Sequence, residues 1–222
     1  MCSGQHAGLL LLARLRNWNL EDYWSERHPA QLAYRDAVAR AFAMRPERLK
    51  TAIDGCGLLT FALPLREVAK AFALLADPGA LPEGDERSAL AEPLTRVRDA
   101  MLTNPEIVAG SRDRLDTALM KAAPDRLVSK AGAEALRGVA LLAGPRGDGV
   151  EAPSGLALKI EDGDGFDRAG WAASVEALRQ VGVLDSGALR LLARYHRPAS
   201  PDPHGRQAAE AGAEFELAPA GT

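Results

Sequence analysis

Ile53-Asp54-Gly55-Cys56-Gly57-Leu58-Leu59-Thr60-Phe61-Ala62-Leu63-Pro64-Leu65 places one acid, one thiol and two glycines in four residues, then closes an apolar run on a proline. Glycines give the backbone access to positive φ and let other groups approach closely. A carboxylate and a thiol on such a turn can face a pocket instead of solvent. The other cysteine, Cys2, lies in a second short Gly-containing polar segment, Cys2-Ser3-Gly4-Gln5-His6-Ala7-Gly8, which also runs into an apolar stretch. If the two segments meet in space, they form one site.

The 222 residues suffice for one well-buried domain, or one domain plus a tail. Apolar residues make up 47 %, ordinary for a soluble globular chain. Net charge is slightly negative and no Lys/Arg cluster marks a phosphate-tracking surface, which argues against a nucleic-acid partner. The leucine run Leu9 to Leu12 is far too short to span a bilayer, which argues against a membrane partner. No charged segment precedes the run, and Arg14 and Arg16 follow it, so it does not read as a secretion signal. The expected compartment is the cytoplasm, where a cysteine pair is more often a metal or functional site than a disulfide. Composition alone favours two inert buried thiols.

Outward from the central stretch, the periodicity is first helical. Ser3 to Trp18 reads as an amphipathic helix with Ser3 or Gly4 as N-cap and a stripe of Leu9, Leu12, Leu15 and Ala13. Gln5 and His6 then lie at the positive end of its dipole. Asn17 to Arg27 reads as a loop, and Pro29 opens a helix to about Met44. Residues 50 to 63 read as a turn between helices or a brief strand. Helices are predicted over Leu65 to Ala76, over Arg87 to Leu102 with Pro93 kinking or delaying it, from Asn104 to Gly110, and over Asp113 to Ala122.

The period then changes. Arg126 to Lys130, Leu136 to Leu142 and Leu156 to Ile160 are strand candidates, with Gly144 to Gly155 as a long hairpin loop. Asp167 is expected to cap a helix to about Val181, with Trp171, Val175 and Leu178 on its buried face, and Ser186 to Tyr195 is a last short helix. The expected fold is α/β of the α+β kind, a helical region followed by a small antiparallel sheet and a covering helix. It divides into a domain over 1–196 and a disordered tail over 197–222, poor in large apolar side chains. No Gly-x-Gly-x-x-Gly or Walker-type loop supports nucleotide binding.

Four kinds of group carry candidate chemistry. Cys2 and Cys56 can ligate a soft or borderline metal as thiolates, though two cysteines are half of a tetrahedral site. Asp54 can orient substrate or support a ligand, or simply form a turn. His6 is a ligand, an acid/base or a polar cap. Lys130, at the end of an apolar strand, can project over a sheet edge as a base of lowered pKa, or sit solvated. No Ser-x-x-Lys arrangement and no Gly-x-Ser-x-Gly elbow occurs.

Six ordered motifs resemble the rhizobial-type L-asparaginases. They are Cys2 to Gly8, Asp54 to Gly57 with Thr60 to Leu65, Asn104 to Gly110, Asp116 to Met120, Lys130 to Glu134, and Gly155 to Ile160. The resemblance covers roughly residues 1 to 182. It implies hydrolysis of the L-asparagine side-chain amide, a fold akin to serine β-lactamases and glutaminases, and a homodimer. It also implies that Cys2 and Cys56 are zinc ligands, that Asp54, together with His6, helps hold substrate beside the metal, and that Lys130 activates a serine at the sheet edge.

Two departures follow. Gln5 stands where the family pattern has a lysine, the third zinc ligand, so zinc is expected to bind in weakened form. The family carries its Ser-x-x-Lys nucleophile ahead of the Cys-Ser-Gly motif, whereas here Met1 directly precedes Cys2. The expectation is a chain lacking that segment: a truncated product, a misassigned start or half of a split gene. Two functions remain open, an asparaginase completed by the missing part, or an inactive remnant that binds small molecules or dimerises.

Overall fold

The computed structural model describes residues 2–144, 150–163 and 169–218. The chain divides into two units, Met1–Glu67 with Leu81–Leu90, and Val68–Ala80 with Ala91–Thr222. The mixed α/β class with small antiparallel sheets is as the sequence predicts.

The first unit opens with α1 (Ser3–Leu15) and α2 (Pro29–Ala41). Cys2, not Ser3 or Gly4, is the N-cap of α1, and its side chain makes no capping bond. Leu9 and Ala13 of the expected stripe are buried, but Leu15 is exposed because the helix ends there. His28 caps α2 by accepting the Ala30 N–H at Nδ1, and Pro29 follows as first helical residue. Gln31 of α2 is fully buried, and its amide donates to Tyr23 O and accepts from Leu59 N. A buried amide is tolerated here because both its ends are bonded.

The central stretch folds as a hairpin, β1 (Lys50–Ile53) against β2 (Leu59–Ala62), with Ile53 opposite Leu59. The core of this unit is small: Leu9, Ala13, Ala30 and Leu58, flanked by Trp18, Tyr23, Tyr34 and Cys56. α3 (Leu65–Ala76) starts in this unit and continues into the second.

A short 3-10 turn (Glu86–Leu90) ends the first unit, and α4 (Ala91–Thr103) follows it in the second. Pro93 sits in the first turn of α4, where no intrahelical N–H is lost. α5 (Pro105–Ala109) and α6 (Leu115–Ala122) follow. The sheet is antiparallel in the order β3 (Leu127–Ala131), β4 (Leu136–Leu141), β5 (Ser154–Lys159), with Lys130 opposite Gly138. α7 (Ala169–Gln180), α8 (Ser186–Leu191) and α9 (Ala193–His196) complete the core. Leu119, Leu127, Val128, Val139, Val175, Leu178, Val183 and Leu192 are its fully buried centre. The expected Asp167 cap lies outside the described residues.

α3 reaches the sheet because two strand positions lack a side chain. A Cβ on Gly138 would fall 1.9 Å from the Phe72 ring, and one on Gly155 would fall 1.8 Å from the Ala69 carbonyl oxygen. The second obstacle is backbone and cannot rotate away.

A polar group of side chains is buried in the same core. Asp116 of α6 accepts from Ser129 Oγ at 2.5 Å, from Ala131 N at 2.9 Å and from Arg137 Nη1. Arg137 also donates to Ser174 Oγ of α7, which in turn donates to Gly170 O. Burial pulls the Arg137 guanidinium below its ordinary value, and Asp116 opposes that shift. On α7, Glu176 accepts from Arg179, Gln180 and His196.

Past residue 197 the structure places β6 (Ala199–Pro201) against β7 (Gln207–Glu210), every strand residue exposed. Turn chemistry closes this hairpin, with Asp202 Oδ1 accepting from the backbone of His204 and Arg206. Gln180 of α7 bonds Phe215 O and Leu217 N further along. Among the described residues no helix is long and apolar enough to cross a membrane.

Two outcomes follow. Gly155→Ala should cost about 3 kcal/mol in urea unfolding, at the upper end for overpacking, because a helix carbonyl must move. The Arg179 hydrogen bonds, then those of Gln180 and His196, hold Glu176 below the ordinary carboxylate range. Its contribution is therefore present above the unfolded value of 4.5 and is lost as pH falls through the lower folded value. Glu176→Gln should lower the unfolding temperature at neutral pH and flatten the acid side of the stability profile.

Candidate functional site

The hairpin turn is closed by its own backbone. Asp54 N donates to Leu58 O at 2.8 Å and Gly57 N to Asp54 O at 2.9 Å. Gly57 has φ 88°, a conformation that glycine adopts without the steric cost of a Cβ. Asp54 Oδ1 accepts the Gly55 N–H at 2.7 Å, and Cys56 Sγ donates to Asp54 Oδ2 at 3.8 Å. The turn thus presents a carboxylate and a thiol together.

Cys2, at the start of α1, meets them. One ligand atom each from Cys2, Asp54 and Cys56 lies within 4.8 Å of the others, and all three residues are half-buried. Among the described residues no other group of three His, Cys, Asp or Glu side chains is so placed. The two glycine-bearing segments therefore do meet. A hydrogen bond with Cys56 raises the Cys2 thiol above its ordinary value, with burial and the negative charges of Cys56 and Asp54 acting in the same direction. Three groups that are anionic when ionised crowd a small volume, and a cation relieves that repulsion. Two sulfurs and one carboxylate oxygen form a donor set suited to zinc.

Gln5 and His6 lie in the first turn of α1, and both are directed to tyrosines. Gln5 Nε2 donates to Tyr34 OH at 3.0 Å, and His6 Nδ1 pairs with Tyr23 OH at 2.7 Å. His6 is not part of the three-residue cluster. Tyr34 escaped the sequence reading, since one tyrosine on an ordinary helix face carries no motif. Its ring packs edge-to-face on Phe61, 5.2 Å between centroids. Burial first, then the charges of Cys56, Asp54 and Cys2, push its phenol up, which marks it as a neighbour of the cluster.

Lys130 belongs to the second unit, and the cluster belongs to the first. It is half-buried on β3, the strand that has β4 on one side and no described strand on the other. Its Nζ donates to Ala131 O. The residues on either side are tied to Asp116, by the Ser129 hydroxyl and the Ala131 N–H. Ser129 is fully buried and its hydroxyl is committed to Asp116, so this serine is not presented as a nucleophile.

Residues 1–212 match the family model described as L-asparaginase II. That match places the chain among asparaginase-type amidohydrolases. The chain belongs to the L-asparaginase II family, the one its six motifs resemble. A search of curated proteins found no match.

An amide nitrogen has no lone pair to give a metal, and Gln5 already spends one N–H on Tyr34. A neutral amine at position 5 adds a donor. Gln5→Lys should therefore tighten zinc at least about tenfold, a difference of about 1.4 kcal/mol, in a chelator-competition titration.

Proposed function

We propose that this chain is the metal- and substrate-holding part of an amidohydrolase that converts L-asparagine to L-aspartate and ammonia. The observation that supports the reading is the meeting of Cys2, Asp54 and Cys56 within 4.8 Å, in a chain of this family. Cys2 and Cys56 hold zinc, which when bound supplies positive charge for an anionic substrate group. Asp54 receives the substrate ammonium. Lys130 is the base at the edge of β3.

Amide hydrolysis also needs a nucleophile whose proton a base can take. These residues contain no Ser-x-x-Lys, and the serine beside Lys130 is buried and bonded to Asp116. That observation favours a second reading of residues 1–222 taken alone, as a piece that binds L-asparagine without turning it over.

Calorimetry and an ammonia assay on the same preparation test both readings. The expected result is L-asparagine binding with no ammonia above background. Joined to a family-like segment bearing the serine and its lysine, the protein should release ammonia, and Lys130→Ala should cut that release at least about a hundredfold. Steady ammonia release by residues 1–222 would place the nucleophile among them. Absence of L-asparagine binding would remove the asparagine reading.

A further inference from the structure

Position 5 is where the resemblance places a third zinc ligand, and in this chain it holds an amide that is already engaged with Tyr34. The cluster itself offers another donor. We propose that the third protein ligand of the metal in this chain is the Asp54 carboxylate, acting through Oδ2 beside the Cys2 and Cys56 sulfurs. This rests on the reading of the cluster as a metal site, and it gives Asp54 a ligand's role through Oδ2 in addition to its place beside the substrate.

Three observations support the assignment. The first is spacing. A tetrahedral zinc with sulfurs at about 2.3 Å and a carboxylate oxygen at about 2.0–2.2 Å separates its ligand atoms by roughly 3.5–3.8 Å. Cys56 Sγ already lies 3.8 Å from Asp54 Oδ2, and Cys2 completes a triangle with no edge above 4.8 Å. Small side-chain adjustments bring all three onto one ion.

The second is orientation. Asp54 Oδ1 is held by the Gly55 N–H at 2.7 Å, which leaves Oδ2 turned toward the Cys56 sulfur. Ligating carboxylates are commonly fixed in this way by a hydrogen bond to the oxygen that does not bind the metal. The turn that carries Asp54 and Cys56 is itself closed by the Asp54–Leu58 and Gly57–Asp54 backbone bonds, so the two ligands are presented as a pair.

The third is the state of Gln5. Its Nε2 donates to the Tyr34 hydroxyl, and Tyr34 is in turn packed on Phe61. Rotating the amide to ligate would break that bond and offer only a neutral carbonyl oxygen. Two thiolates with a carboxylate carry one more negative charge than two thiolates with a neutral amine. With a divalent ion the site in this chain therefore carries a net charge of about −1, where the family pattern is neutral.

Titrating the purified 222-residue chain with Co2+ alone, followed by Zn2+ competition, tests the assignment. Thiolate ligation is read from the sulfur-to-cobalt charge-transfer absorption. Asp54→Asn keeps an oxygen for the Gly55 N–H but removes the charge, and should weaken Co2+ at least about tenfold while the sulfur band persists at saturation. Gln5→Ala should change affinity less than about twofold, and this variant tests the proposal even if Asp54→Asn does not fold. A tenfold loss in Gln5→Ala, or unchanged affinity in folded Asp54→Asn, overturns the assignment and leaves the metal reading standing. An unaltered chain that shows no sulfur-to-cobalt band overturns both.

Discussion

The second unit depends on one buried carboxylate. Asp116 lies on α6, yet its bonds reach the hydroxyl of Ser129, the backbone of Ala131 and the guanidinium of Arg137, so it ties a helix to two strands. Arg137 passes the connection to α7 through Ser174. Both charged side chains are about 5 % exposed. A buried ion pair is weak evidence of net stability, because two desolvation penalties oppose its attraction. Loss of either partner, however, strands a charge in an apolar core made of Leu119, Leu127, Val139 and Val175. Asp116 is therefore better understood as fixing how α6, β3 and β4 fit than as a source of net stability.

The first unit has no comparable apolar core. Among its described residues seven apolar side chains are buried, three of them alanines, and four of the seven cluster inside a mostly aromatic rim. Polar groups carry a large share of the fit: the buried Gln31 amide bridging Tyr23 and Leu59, His28 at the head of α2, and Gln5 and His6 on two tyrosine hydroxyls. A metal on the proposed ligands would cross-link the start of α1 to the hairpin turn, in the unit with least apolar burial. Metal binding that is restricted to the folded state adds its free energy to folding.

Long periodic segments were readable from sequence. α3 runs from Leu65 to Ala76 as its apolar spacing predicts, and the three strands of the sheet fall within two residues of their predicted positions. The meeting of Cys2 with Cys56 was readable only as a hypothesis, because 54 residues of chain separation say nothing about distance. Where a polar residue is used against type, the sequence offered little. Gln31 of α2 is fully buried, while the apolar Leu32 beside it is 38 % exposed. Tyr34 acts through partners remote in sequence, so no local spacing announces it, and Asp116 opens one of the six motifs without any sign of its bonds to Ser129 and Arg137. The hairpin past residue 197 follows from the Asp202 side chain bonding its own turn, a local device that overall composition conceals.

The outer edge of β3 has a further consequence at Ala131. Strand edges with free N–H and C=O groups invite a strand from another molecule. At Ala131 both groups are already used, the N–H by Asp116 and the C=O by the Lys130 ammonium. An incoming strand would have to displace a buried carboxylate and dislodge a cation to pair there. The same contacts that present Lys130 therefore also close this end of the sheet to edge-to-edge self-association.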